Sequence, residues 1–276
     1  MPTLSKLLKH PKESFLSLNH CRILHTSDIH LDDSIGGKGE ESFAQLGLID
    51  VVDKSIELDV DLFLLAGDLF DHNRVKDRCL EFATEQLARV QCPLVMIAGN
   101  HDCLADYSVY HRYEPEIAGD HIHFIRDPAG AVLDFPELGL KAWGRGIVNH
   151  QPDNRPLEIV PKKEGASWYI GLAHGYYSNR SADIYSSLIT AEQIAASGLD
   201  YLALGHVHVF SEMRHGHTLA AYPGSPNISQ GTRETTAAFI ELLPREGVKV
   251  NRIELASQNQ LVTREPKELA LPSFLG

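Results

Sequence analysis

A chain of 276 residues, 43% hydrophobic and 22% charged, is long enough to bury a substantial core and has the balance of an ordinary globular protein. Its net charge of −12 argues against binding nucleic acid through an overall basic surface, although bound divalent cations could still create a local positive site. No run approaches the roughly 20 apolar residues of a membrane span, and Cys21, Cys79, Cys92 and Cys103 form no close pair, so free thiols in a reducing cytoplasm are expected.

The first 20 residues carry leucines at loosely helical spacing, interrupted at His10-Pro11, and lack the apolar core and cleavage site of a secretory signal. They read as an N-terminal extension. "CRILHTSDIHL" (21–31) follows as a strand that runs into Ser27, Asp28 and His30. In "ESFAQLGLIDVVDKSIEL", Phe43, Leu46, Ile49, Val52 and Ile56 recur at helical spacing and predict one apolar face. "VDLFLLAGDLFD" is a continuous apolar run ending at Gly67-Asp68, as befits a strand buried on both faces. "VKDRCLEFATEQLARV" repeats the helical pattern through Val75, Cys79, Phe82, Leu87 and Val90, and "PLVMIAGNHD" (93–102) is the third strand. Strand and helix alternate, which predicts parallel βαβ units.

Later segments are richer in strand. "HIHFI", "LKAWGRG", "WYIGLAHG" (168–175), "DYLALGHVHV" (200–209), "TLAAYPGS", "TAAFIELL" and "VNRIELA" are short and separated by turn residues. A helix is expected over 190–197, with Thr190 as its cap three residues ahead of Gln193. The sum is an α/β fold of two packed sheets with helices outside, taken as one domain over 21–265 with a tail at 266–276.

Catalytic groups in open α/β folds gather where strands end at their carboxyl side. Five strand ends here deliver candidate metal ligands: Asp28 and His30; Asp68 with Asp71; Asn100 with His101 and Asp102; His174; and His206 with His208. Residues two apart on a strand point the same way, so Asp28/His30 and His206/His208 could each aim at one place if strand geometry persists. Carboxylate, amide and imidazole donors without thiolate suit Mn²⁺, Fe²⁺ or Zn²⁺. Two such ions about 3.5–4 Å apart would need a shared carboxylate, and would clamp the entering and leaving oxygens of a phosphate.

"DIH" (28–30), "GDLFD" (67–71), "GNHD" (99–102), "AHG" around His174 and "GHVH" (205–208) together resemble the five-motif signature of calcineurin-like metallophosphoesterases. The resemblance implies a two-sheet β-sandwich flanked by helices, the four-layer fold of that family, with a dinuclear site at the loops. It implies one ion on Asp28, His30, Asp68 and His208, and a second on Asp68, Asn100, His174 and His206. Mn²⁺ is the first choice for both, with Fe²⁺ or Zn²⁺ as alternatives. His101 would act beside the metals on the phosphate or leaving oxygen, and Asp71 would orient it. Asn100 would supply a neutral oxygen, so that Asp28 and Asp68 bring −2 against +4 and leave a positive hole in an acidic protein.

"ILHTSDIHL" and "YPGSPN" (222–227) look like the DNA-repair nuclease branch of the family, the SbcD type, although Pro223 and Pro226 could equally fix a plain turn. That branch implies a nucleic-acid diester as substrate and an ATPase partner subunit. Some of its members carry a histidine where this chain has Asp71. The acidic balance and the 68 or so residues after His208 favour instead a phosphodiesterase for a cyclic nucleotide or nucleotide conjugate. A third reading is a metal-bound binding subunit without catalysis. Arg145, Tyr176, Tyr177 and Arg180 are candidate substrate contacts, with an exposed loop as the plain alternative for the last three. Of the 15 histidines, His10, His20, His72, His111, His121, His123, His150, His215 and His217 fall outside the signature, His72 next to Asp71; His25 should be a hydrogen-bonded packing residue. The sequence leaves the oligomeric state open.

Overall fold

The computed structural model describes residues 20–34, 41–149, 151, 153–178 and 186–255. The expected N-terminal extension, all but its last residue, and the C-terminal tail lie outside the described residues, as do His150 and Arg180. In chain order the elements are β1 (Cys21–Thr26), α1 (Phe43–Glu57), β2 (Leu62–Ala66), α2 (Asp77–Leu87), β3 (Leu94–Ile97) and β4 (Ile122–Ile125). They continue with β5 (Ala131–Phe135), β6 (Leu140–Arg145), β7 (Trp168–His174), β8 (Tyr176–Tyr177), β9 (Leu188–Ile189), α3 (Ala191–Ala196) and β10 (Tyr201–Gly205). The last are β11 (Ser211–His215), β12 (Thr218–Tyr222), β13 (Thr236–Leu243) and β14 (Gly247–Glu254).

Two six-stranded sheets form, in the orders β14-β13-β1-β2-β3-β4 and β11-β12-β10-β7-β6-β5. In the first, β1, β2, β3 and β4 are parallel and only the β13–β14 margin is antiparallel; in the second, β6, β7, β10 and β12 are parallel between antiparallel margins β5 and β11. Alternation along the strands divides the core. In β2, Leu62, Leu64 and Ala66 face the second sheet, meeting Ile170, Leu172 and Ala203. Phe63 and Leu65 face the other way, toward Leu48, Val51, Val52, Leu80, Ala83 and Leu87 of the helices. The outer face of the second sheet packs Tyr169, Leu202 and Leu204 against Ile194 of α3. The order of layers is helix, sheet, sheet, helix, as the two-sheet expectation required.

Two details correct the sequence reading. The buried stripe of α1 is Ala44, Gly47, Leu48, Val51, Val52 and Ser55, one step round from the predicted face, and Phe43 is 41% exposed. Small residues let the helix lie close on the sheet, which a stripe of large apolar residues would not. In α2 the buried residues are Cys79, Leu80, Ala83 and Leu87, with Val75 and Val90 buried beyond its ends. The α3 cap is as expected: Thr190 Oγ1 accepts from Gln193 N–H and the Gln193 side chain accepts from Thr190 N–H. Ser42 and Gln45 make the same reciprocal pair at α1. No described helix is long and apolar enough to cross a membrane.

Candidate metal centre

Because β1, β2 and β3 are parallel, as are β7 and β10, their carboxyl ends emerge on one edge of the sandwich; Gly205 stands in register with His174. The strands stop at Thr26 and Gly205, so Asp28, His30, His206 and His208 lie beyond them and strand alternation does not aim them. Left-handed backbone does so instead: φ is 57° at Asp28, 54° at His30, 54° at Asp68 and 103° at His206. Non-glycine residues adopt this conformation at a cost of about 1–2 kcal/mol each. Backbone bonds hold the turns, with Ile29 N–H donating to Asp68 O at 2.9 Å and Leu31 N–H to Leu69 O at 2.9 Å. Close approach explains two glycines. A Cβ on Gly99 would stand 2.1 Å from Asp68 Oδ1, and one on Gly205 2.0 Å from Ala66 O.

Two groups of donors result. His208 Nε2 lies 3.3 Å from His30 Nε2 and 3.6 Å from Asp28 Oδ1, and His30 Nε2 lies 3.9 Å from Asp28 Oδ1. Such separations suit atoms surrounding one ion at about 2.0–2.2 Å. In the second group, His174 Nε2 and His206 Nδ1 stand 2.9 and 2.8 Å from Asn100 Oδ1. Asp68 Oδ2 is 3.4 Å from His174 Nε2 and 3.8 Å from His30 Nε2, between the two groups.

The chemistry of these donors tests whether a cation fits. His174 Nδ1–H donates to Ala66 O at 2.8 Å, so neutral His174 turns a lone pair toward the oxygens of Asn100 and Asp68. A lone pair facing two acceptors needs a positive charge between them, either a proton or a metal. Asp28, His30, Asp68 and His174 are all but fully buried, where an unpaired carboxylate is costly. The donor set fits a divalent cation.

Electrostatics agree. Burial alone would raise Asp28, but His208, His174 and His30 outweigh it and hold its carboxyl below the usual range. Burial likewise opposes charge on His174, yet Asp68 and Asp28 prevail and lift it to about 9. Asp68 is held down by His174 and His30 against its burial and the neighbouring Asp28. His101, 41% exposed at its side chain, stands at the rim. Its backbone N–H donates to Asp68 Oδ1 at 2.8 Å, and its Nδ1–H to the Asp71 carbonyl at 2.7 Å, which leaves Nε2 free of that bond. Asp71 raises the His101 pKa to about 9, so the ring carries its proton at neutral pH. The same carboxylate approaches His30 Nδ1 at 3.2 Å.

Asp102, third in the "GNHD" cluster, does not face the donors. It is fully buried and accepts from Gly99 N–H, Leu69 N–H and Tyr110 O–H at 2.7, 2.9 and 2.7 Å, stapling the turn after β2 to the turn after β3. "YPGSPN" is likewise a support. Ser225 Oγ donates to Asp28 O at 2.7 Å and Asn227 Nδ2 to Ile29 O at 3.1 Å, both residues buried. These supports carry no local sequence signal that names their partners. Ser186 lies outside the five motifs, and its Oγ lies 2.8 Å from His206 Nε2.

Of the candidate substrate contacts, Tyr176 is 44% exposed and stands edge-on to His206, ring centroids 6.5 Å apart. Tyr177 stacks on His215 at 5.3 Å. Arg145 donates to the carbonyls of Pro128 and Arg155 at 2.9 Å each. His72 Nδ1 accepts from Arg74 N–H, and buried His25 pairs with the Tyr201 hydroxyl at 2.8 Å.

Comparison with known proteins agrees with this geometry. Residues 21–210 match the family model for calcineurin-like phosphoesterases. The chain is 25% identical to the uncharacterized metallophosphoesterase YhaO of Bacillus subtilis over 75% of its own length, and spans about half (53%) of that protein. It is 24% identical to the SbcD component of the nuclease SbcCD of the same organism, over 87% of this chain and 71% of that one. Among solved structures, a dimetal phosphatase from Danio rerio superposes with a TM-score of 0.53 at 11% identity, over 85% of this chain and 99% of that one.

Proposed function

Since the chain belongs to the calcineurin-like phosphoesterase family, we propose that it is a phosphoesterase that uses two divalent cations, manganese first, to hydrolyse a phosphodiester of a nucleic acid or nucleotide. The observation that carries this reading is the place of Asp68, 3.8 Å from His30 Nε2 and 3.4 Å from His174 Nε2, where one carboxylate can serve two ions. Asp28, His30, Asp68 and His208 would hold the first ion; Asp68, Asn100, His174 and His206 would hold the second. Bound there, the pair supplies Lewis-acid activation of water and neutralises phosphate charge.

The remaining steps fall to the chain. His101, protonated and held by Asp71 at the rim, donates its proton to the departing oxygen from Nε2, the ring nitrogen not tied to Asp71. Tyr176 offers an exposed aromatic edge beside His206, where a base or other planar leaving group could rest. Similarity to the SbcD component of the nuclease SbcCD favours a DNA substrate and work alongside a partner protein. The net charge of −12 favours the second reading, a small nucleotide diester. A metal-bound binding protein without turnover is disfavoured by the presence of His101 in position.

Asp68→Ala should abolish Mn²⁺-dependent hydrolysis of an aryl phosphodiester; unchanged turnover would overturn the shared-carboxylate role. Rates on linear duplex DNA, measured across a salt series, separate the substrates: a steep fall with salt supports DNA, and indifference supports the small diester.

A further inference from the structure

Two of the four candidate histidine ligands have their outward nitrogen on a backbone carbonyl, and a third has it near a carboxylate. His174 Nδ1 donates to Ala66 O at 2.8 Å, His208 Nδ1 faces Gln230 O at 3.3 Å, and His30 Nδ1 lies 3.2 Å from Asp71 Oδ1. At His206 the corresponding group is a hydroxyl: Nε2 lies 2.8 Å from Ser186 Oγ, while Nδ1 faces Asn100 Oδ1 at 2.8 Å. We propose that Ser186 is a positioning residue for the second cation, holding His206 in the ring orientation that turns Nδ1 into the site. This rests on the two-cation reading above.

The chemistry requires a partner on Nε2. A neutral imidazole has one N–H and one lone pair, and a ligand must keep the lone pair on the metal side. The Ser186 hydroxyl can accept from Nε2–H, which leaves the lone pair on Nδ1. His206 also has less packing to hold it than His30 or His174: it is half-buried, whereas they are buried, and its backbone sits at φ 103°.

Ser186 itself is well placed to act as a stop. It immediately precedes Ser187, which is 1% exposed, accepts Tyr176 N–H on its carbonyl at 2.7 Å and accepts Asn154 Nδ2–H on its hydroxyl at 2.8 Å. The next residues pair β9 with β8, Leu188 opposite Tyr176 and Ile189 opposite Tyr177. Gly175 approaches the Ser187 carbonyl so closely that a Cβ would stand 2.5 Å from it. The small sheet therefore carries the Ser186 hydroxyl to His206 from the same segment that presents Tyr176.

The test uses the full chain stripped of metal, titrated with Mn²⁺ by calorimetry, with electron paramagnetic resonance to distinguish an isolated ion from a coupled pair. The native protein should take up two ions. Ser186→Ala should leave one of the two binding steps unchanged and weaken the other by about 10–100-fold, with the coupled-pair signal lost at Mn²⁺ concentrations that saturate the native protein. Ser186→Thr, which retains the hydroxyl, should restore both. Unchanged binding in Ser186→Ala, or equal weakening of both steps, overturns the positioning role. A native protein that binds no second ion overturns the two-cation reading itself, a result that the native titration alone delivers.

Discussion

Replacing Asn227 by alanine should loosen the first cation site from a distance. Asn227 is 1% exposed; its Nδ2 donates to Ile29 O at 3.1 Å, and its Oδ1 accepts from Ser229 N–H at 3.0 Å. Ile29 lies between Asp28 and His30, both left-handed, whose conformations together cost about 2–4 kcal/mol. Alanine leaves a buried carbonyl without that donor, a loss of about 1–3 kcal/mol, and removes the cap on the Ser229 N–H, about 0.5–2 kcal/mol more. The total of roughly 1.5–5 kcal/mol is comparable with the strain being held. The turn should therefore relax, and the first Mn²⁺ should bind about tenfold or more weakly. Urea unfolding of the metal-free protein measures the first quantity and Mn²⁺ titration the second. Ser229→Ala, which retains the Asn227–Ile29 bond, is the control and should leave Mn²⁺ affinity unchanged. A stability loss under about 0.5 kcal/mol with native Mn²⁺ affinity in Asn227→Ala would refute the reasoning.

Further outcomes follow from other residues. His101→Ala should retain both metals, by elemental analysis, and lose at least about 10²-fold in kcat; loss of metal would make His101 a ligand instead. Tyr176→Ala should raise KM for a nucleotide diester about tenfold while leaving an aryl diester lacking a base nearly unaffected, since stacking contributes about 1–3 kcal/mol per base; equal effects on both would remove Tyr176 from base recognition. Burial lowers His25 from 6.5 to about 3, so the folded chain binds fewer protons than the unfolded one between those values and stability falls as pH drops below about 6.5. The stability advantage of the native protein over His25→Gln should shrink by up to about 1.4 kcal/mol per pH unit in that window, and parallel unfolding curves would contradict it.

The central strands were legible because their signals are local, and the candidate donors stand in the same short runs. "VDLFLLAGD" is an apolar run buried on both faces, and it ends where a candidate ligand begins. What escaped was either weakly patterned or remote in sequence. β5 and β11 are marginal strands whose residues alternate between partly buried and exposed, and β8 and β9 span two residues each, too short for any periodicity. The α1 stripe was misplaced because Ala44, Gly47 and Ser55 contribute little hydrophobic signal yet lie against the core. Asn227 meets the Ile29 carbonyl across 198 positions of chain, and nothing around either residue announces the other.

That division has a physical origin. A ligand must meet the demands of the ion, which restrict its type to carboxylate, imidazole or amide and so leave a readable spelling. A support need only offer one hydrogen bond to a carbonyl or ring nitrogen, and serine, asparagine or a backbone group can each do it. Yet the supports decide whether the ligands converge. Asp28, His30, Asp68 and His206 all occupy left-handed backbone, which an isolated turn would abandon. Ser225 holds the Asp28 carbonyl, Asn227 that of Ile29, and Asp102 the amides after Asp68, so each strained turn is clamped from a different element. His206 has its backbone N–H on the Asp28 carboxylate at 3.0 Å, which joins the second sheet's turn to the first sheet's candidate ligand. Strain at the donors and hydrogen bonds from the supports are therefore two sides of one arrangement: the bonds make a conformation that is unfavourable locally the lowest one available in the folded chain.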